Sequence, residues 1–170
     1  MAGYGLPNEQ HLSVVLQKSL EFDGYNIEII NGSVSGSTSA GGLNIAEWTL
    51  SENNIDLMIL CLGANDMLRG INPKETKNNL EEIIEIAKNK NIKVIIAGMI
   101  APTSYGYAYK KSFDKIFSDL SKKHKLQLIP FLLEGVAQKP EFNLSDGMHP
   151  NDRGTIIIGN TLKKAILKNL

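Results

Sequence analysis

The chain has 170 residues with eighteen basic and eighteen acidic side chains, so its net charge gives no argument for nucleic acid or an anionic membrane as partner. A single cysteine, Cys61, allows no intramolecular disulfide and no cysteine zinc cluster within these residues. The apolar stretches stay below the ~18 residues that a membrane helix needs, and the length suits one domain with its own core.

In chain order, Leu12, Val15, Leu16 and Leu20 form one stripe of a helix over about Asn8 to Phe22, which Asp23-Gly24 ends. Ile27 to Ile30 is β-branched and predicts a short strand. It runs into Asn31-Gly32-Ser33-Val34-Ser35-Gly36-Ser37-Thr38-Ser39, a loop of small residues able to turn sharply and offer backbone N–H groups. A helix near Gly41 to Ser51 comes next. Asp56 to Leu62 is apolar at nearly every position, as in a strand covered on both faces of a parallel sheet, with Cys61 as one of its core residues. After Gly63-Ala64-Asn65-Asp66, the pair Asn72-Pro73 opens a helix with Asn72 as N-cap and Leu80, Ile83, Ile84 and Ala87 on its apolar face.

Val94 to Gly98 reads as a second buried strand, followed by Pro102 and a loop rich in tyrosine and glycine from Tyr105 to Tyr109. Phe113, Ile116, Phe117 and Leu120 repeat the helical spacing, Leu126 to Pro130 is the last strand, and Ile158, Leu162, Ala165 and Ile166 place a closing helix. Strands alternating with helices give an α/β sandwich with a mainly parallel sheet. In such a sheet ligands bind outside the carboxyl ends of the strands, where the loops at Gly36, Asn65 and Pro102 should gather.

Chemistry concentrates in Asp146-Gly147-Met148-His149-Pro150. A carboxylate three residues ahead of an imidazole can fix the tautomer of a general base. The same residues also suit an Asp-Gly turn leading into a helix capped by Asn151 or Asp152. Asn65 is either a side-chain donor to an oxyanion or a turn residue, and Gly63 would let backbone approach a substrate. Asp66 reads as an N-cap or turn residue, and His11 and His124 as surface helix residues. Gly36 could donate its N–H to the same oxyanion or be a plain turn glycine. Neither phosphate-binding glycine motif is present, which argues against a nucleotide ligand. The tyrosine loop suits an apolar acyl or aryl group, or has no such purpose.

Together these loops resemble the SGNH or GDSL hydrolase family, in its bacterial branch of arylesterases and acyl-CoA thioesterase/lysophospholipases. The second family block is matched by Asn31 to Ser39, which implies Gly36 as oxyanion donor. Gly63-Ala64-Asn65-Asp66 matches the third block and implies Asn65 as the side-chain donor. Asp146 to Pro150 matches the fifth, implying His149 as base and Asp146 as its orienting carboxylate. Leu68-Arg69-Gly70, Tyr105-Gly106 and Pro130-Phe131 extend the resemblance. It implies a three-layer α/β/α sandwich with a flavodoxin-like sheet, substrate contacts at Gly63, Pro102, Tyr105 and Met148, and ester or thioester hydrolysis of small acyl substrates without metal or organic cofactor.

The first block departs from the family. Ala2-Gly3-Tyr4-Gly5-Leu6 matches the family's continuation after Gly-Asp-Ser-Leu, with Met1 at the variable position, so the nucleophilic serine is expected two residues before Met1. On that expectation residues 1–170 are one hydrolase domain, amino-terminally truncated, without the first central strand and inactive alone. A substitute role for Ser33, Ser35 or Ser37 is disfavoured by their place beside the oxyanion glycine. The rival readings are a non-catalytic acyl- or glycan-binding module and, among enzymes, a sugar O-deacetylase. Resemblance to exported relatives implies a periplasmic or secreted protein. Neither acyl length nor oligomeric state is specified.

Overall fold

Three of the apolar runs form one parallel sheet. β1 (Leu57–Leu60), β2 (Lys93–Ala97) and β3 (Gln127–Ile129) lie in that order, with Leu57 opposite Lys93 and Ile95 opposite Gln127. The computed structural model describes residues 2–51 and 54–170, so Met1 at the variable position of the first block lies outside the described residues. These divide into two units, Gly36–Phe131 and Met1–Ser35 with Leu132–Leu170.

The first of these units carries the sheet. β2 is buried from Val94 to Ala97, as a central strand should be, whereas Leu57 to Ile59 of β1 are only half-buried. The expectation of cover on both faces therefore holds for β2 and not for most of β1, which among the described residues pairs with β2 alone. α2 (Ser39–Thr49), the short α3 (Ala64–Leu68), α4 (Pro73–Asn89) and α5 (Tyr107–His124) complete the unit. Asn72 caps α4, its Oδ1 accepting from the Lys74 N–H at 3.0 Å, and Pro73 takes the first position, where an N–H would be orphaned anyway. Leu80, Ile83, Ile84 and Ala87 are all buried, as are Phe113, Ile116, Phe117 and Leu120 of α5. Because the strands are parallel, α3 and the Pro102–Tyr105 segment both leave from carboxyl ends, one from β1 and the other from β2.

In the other unit, α1 (Leu12–Phe22) packs on α6 (Asp152–Leu167). Leu12, Leu16 and Leu20 are buried against a face holding Ile158, Leu162 and Ile166. Each such side chain contributes about 1.5–3 kcal/mol by leaving water. Lys163 ties the pair, its Nζ donating to Ser19 O at 2.8 Å and meeting Asp23 Oδ2 at 2.6 Å just beyond the carboxyl end of α1. A cation there also suits the helix dipole.

The strand expected at Ile27–Ile30 does not form. That segment has no regular secondary structure and no ladder partner among the described residues. Instead the Gln17 side chain serves it: Nε2 donates to Ile27 O at 2.7 Å and Oε1 accepts from Ile29 N at 2.7 Å. β-propensity requires a neighbouring strand to become a strand, and a helix side chain has taken that role.

Candidate active site

The loop Asp146–Pro150 organises itself with few outside contacts. Asp146 Oδ1 accepts from the N–H groups of Met148 and His149 at 2.8 and 2.9 Å, and Oδ2 accepts from His149 Nδ1 at 2.7 Å. The backbone N–H of His149, its ring N–H and the Met148 N–H together pull the Asp146 carboxyl down to about 2. An ionised carboxylate only accepts, so Nδ1 is a donor here, and in the neutral imidazole the lone pair is then on Nε2. No described residue bonds Nε2. Leu144 N donates to His149 O at 2.7 Å, Gly147 N donates to Leu144 O at 2.9 Å, and the Asn151 side chain caps α6 through Gly154 N at 3.0 Å. The Asp-Gly turn and the capped helix are thus both present, and they carry the pair of side chains rather than replace it. Met148 stands half-exposed beside them.

Unit Gly36–Phe131 holds the proposed oxyanion donors. Asn65, near the start of α3, donates from Nδ2 to Ser37 O at 3.0 Å; its second amide hydrogen meets no described acceptor. Gly36 O accepts from Arg69 Nη2 at 2.9 Å, and the Gly36 N–H is likewise unpaired among the described residues. Asp66 is fully buried and not a turn residue, which corrects the sequence reading. Its carboxylate accepts from Ser39 N at 2.7 Å, from Ser39 Oγ, and from Thr76 Oγ1 at 3.1 Å. Ser39 Oγ in turn accepts from Asn79 Nδ2 at 3.0 Å. Through Ser39 this network fixes the start of α2 and with it the loop carrying Gly36.

Gly63 has a packing reason of its own. Its φ is +110°, and a Cβ would sit 3.2 Å from Phe117 Cζ, so packing against the α5 phenylalanines accounts for the glycine without a substrate. Beyond β2, exposed Pro102 leads into a one-turn 3₁₀ helix ending at Tyr105, whose ring stacks on Tyr109 at 5.4 Å. Tyr109 continues to Phe113 and donates its hydroxyl to Ile71 O at 3.0 Å, so it is a packing residue; Tyr107 is the exposed one. A clamp absent from the sequence reading holds this loop. Lys110 Nζ donates to Ala101 O at 2.7 Å and pairs with Asp114 Oδ2 at 2.7 Å, while Ala101 N donates to Asp114 Oδ1 at 2.8 Å. The i, i+4 spacing of Lys110 and Asp114 is the signal that could have revealed it.

The other two histidines also differ from expectation. His124, at the end of α5, has a side chain 8% exposed, and its Nε2 meets Glu81 Oε1 at 2.5 Å. Glu81, Glu85 and His124 have ligand atoms within 4.8 Å of one another, yet Lys123 Nζ already lies 2.8 Å from Glu81 Oε1, where it supplies the positive charge. This is an ion network, and Lys123 and His124 lower the Glu81 carboxyl. His11 precedes α1 and bonds Leu6 O through Nε2 at 3.1 Å. Cys61, half-buried just beyond β1 and not a residue of that strand, has its thiol raised by burial, which speaks against a nucleophile.

Residues 1–155 match the GDSL-like Lipase/Acylhydrolase family. The chain belongs to this family. An arylesterase of Vibrio mimicus is 35% identical over 169 residues, 99% of this chain and 84% of that protein. Esterase TesA of Pseudomonas aeruginosa is 36% identical over 88% of this chain and 74% of its own length. A crystal structure of TesA superposes with a TM-score of 0.93 at 32% identity, covering 99% of this chain and 94% of the other. The GDSL family thus accounts for the parallel sheet as part of a three-layer α/β/α fold, and the chain is a serine esterase or thioesterase by kind.

Proposed function

We propose that residues 1–170 belong to one hydrolase domain that, once joined to its nucleophile, acts on small carboxylic esters or thioesters, with Asp146 and His149 as the orienting carboxylate and the base. The observation that carries this reading is the 2.7 Å contact of His149 Nδ1 with a carboxylate held down to about 2, which turns Nε2 of the neutral imidazole into the proton acceptor. The nucleophile is the serine that the family motif sets two positions ahead of Met1. His149 removes its proton as it attacks the acyl carbon, then returns that proton to the leaving alcohol or thiol. Water, deprotonated by the same nitrogen, releases the acid. The Gly36 N–H and the second Asn65 amide hydrogen donate to the tetrahedral oxyanion, each unpaired donor meeting the charge without first breaking a bond. Pro102, Tyr105 and Met148 contact the acyl or leaving group.

The test compares hydrolysis of a short-chain p-nitrophenyl ester by the 170-residue chain and by a version extended at its amino terminus with Gly-Asp-Ser-Leu and its preceding strand. Turnover by the extended protein alone supports the reading. An extended protein that folds cooperatively and remains inert sinks it.

A further inference from the structure

Tyr4 has no role in the proposed hydrolysis, yet its ring lies against the proposed base. The two ring centroids are 4.4 Å apart with the planes tilted by 34°. Tyr4 is 59% exposed, so burial of its own surface does not explain the placement. The turn that carries it is built for one position. Gly3 and Gly5 have φ of +74° and +72°, which only glycine adopts readily, and Leu6 N donates to Gly3 O at 3.1 Å. A Cβ on Gly3 would come within 2.2 Å of the His11 ring, and one on Gly5 within 2.7 Å of Leu144 Cδ1. His11 Nε2 further holds Leu6 O at 3.1 Å. The turn is therefore seated on the start of α1 through His11 and on the base loop itself through Leu144, whose N–H is bonded to His149 O.

We propose that Tyr4 is a positioning residue for His149, and that His11 anchors the turn presenting it. One hydrogen bond from Nδ1 to Asp146 leaves an imidazole that is 41% exposed free to swing about that bond. A tyrosine face against the ring removes that freedom and keeps Nε2 aimed in one direction; the same π-face favours the imidazolium formed during turnover. The inference rests on His149 being the base, but its contact can be read without turnover.

The experiment has two arms. In the 170-residue chain, NMR of the His149 side chain should show ring-current displacement and the couplings of a single rotamer. Tyr4→Phe should keep both, whereas Tyr4→Leu and His11→Ala should lose the displacement and average the couplings. In the extended enzyme, Tyr4→Leu should lower kcat about three- to tenfold with KM unchanged, and Tyr4→Phe should restore it. A Tyr4→Leu protein with the wild-type His149 rotamer, or with wild-type kcat, overturns the proposal. If the extended wild-type enzyme is itself inert, the esterase reading fails while the rotamer arm still decides the contact.

Discussion

The loop holding the proposed base and the corner holding the proposed oxyanion donors solve the same problem by opposite means. Asp146 makes three bonds to partners at most three residues away, in a loop that is half-exposed. The donor corner depends on bonds across 27 and 28 residues, with a fully buried carboxylate at their centre. A base must remain reachable and exchange protons, so its support is local and leaves it open to solvent. Donors need only stay where they are, and buried long-range bonds hold them there without reorganisation.

If that contrast is right, His149→Ala in the extended enzyme should lower kcat by about 10³- to 10⁶-fold, since the triad acts as a unit. Its urea unfolding midpoint should barely move. An unfolding curve shifted as far as the activity would mean that the base loop is a structural element. Asn65→Ala should reduce kcat by about 10²- to 10³-fold, the usual effect of losing one oxyanion donor. Steady-state kinetics showing a loss only in KM would argue against that role.

Asp66→Ala should do the reverse of His149→Ala, destabilising the fold by about 2–4 kcal/mol because Ser39 and Thr76 lose a buried acceptor. Denaturant titration measures this directly, and a change below about 0.5 kcal/mol, as at an ordinary surface site, would show that the network does not hold the donor corner. The smallest effect is in acid. Asp146 is depressed from 3.8 to about 2, so its hold on the loop is complete above the first value and vanishes as pH falls through the second. The amide shifts of Met148 and His149 should follow that lower midpoint. A transition near 3.8 would show that the three bonds do not persist in solution.

The same contrast explains what the sequence disclosed. Asp146 and His149 were legible because turn chemistry and their spacing lie in one pentapeptide, and Leu80 to Ala87 were legible because helical period and burial coincide. Asp66 was misread because an aspartate after an asparagine carries a local turn signal, while its partners Ser39 and Thr76 are set only by tertiary packing. Ile27 to Ile30 failed for a related reason: β-branched residues state a preference, and no described strand pairs with them. His11 looked like a helix residue because the stripe begins beside it, yet its ring supports the Gly3–Leu6 turn.

The Gln17 side chain gives the segment from Ile27 to Ile30 an unusual allegiance. One N–H and the oxygen of the Gln17 primary amide have closed a backbone rung, while its nitrogen also donates to Glu21 Oε1, so the Ile29 amide is locked to a helix and not to a sheet. In hydrogen–deuterium exchange it should therefore open together with the middle turns of α1, on their timescale and with their sensitivity to denaturant. Residues that read as sheet in the sequence would then melt as helix.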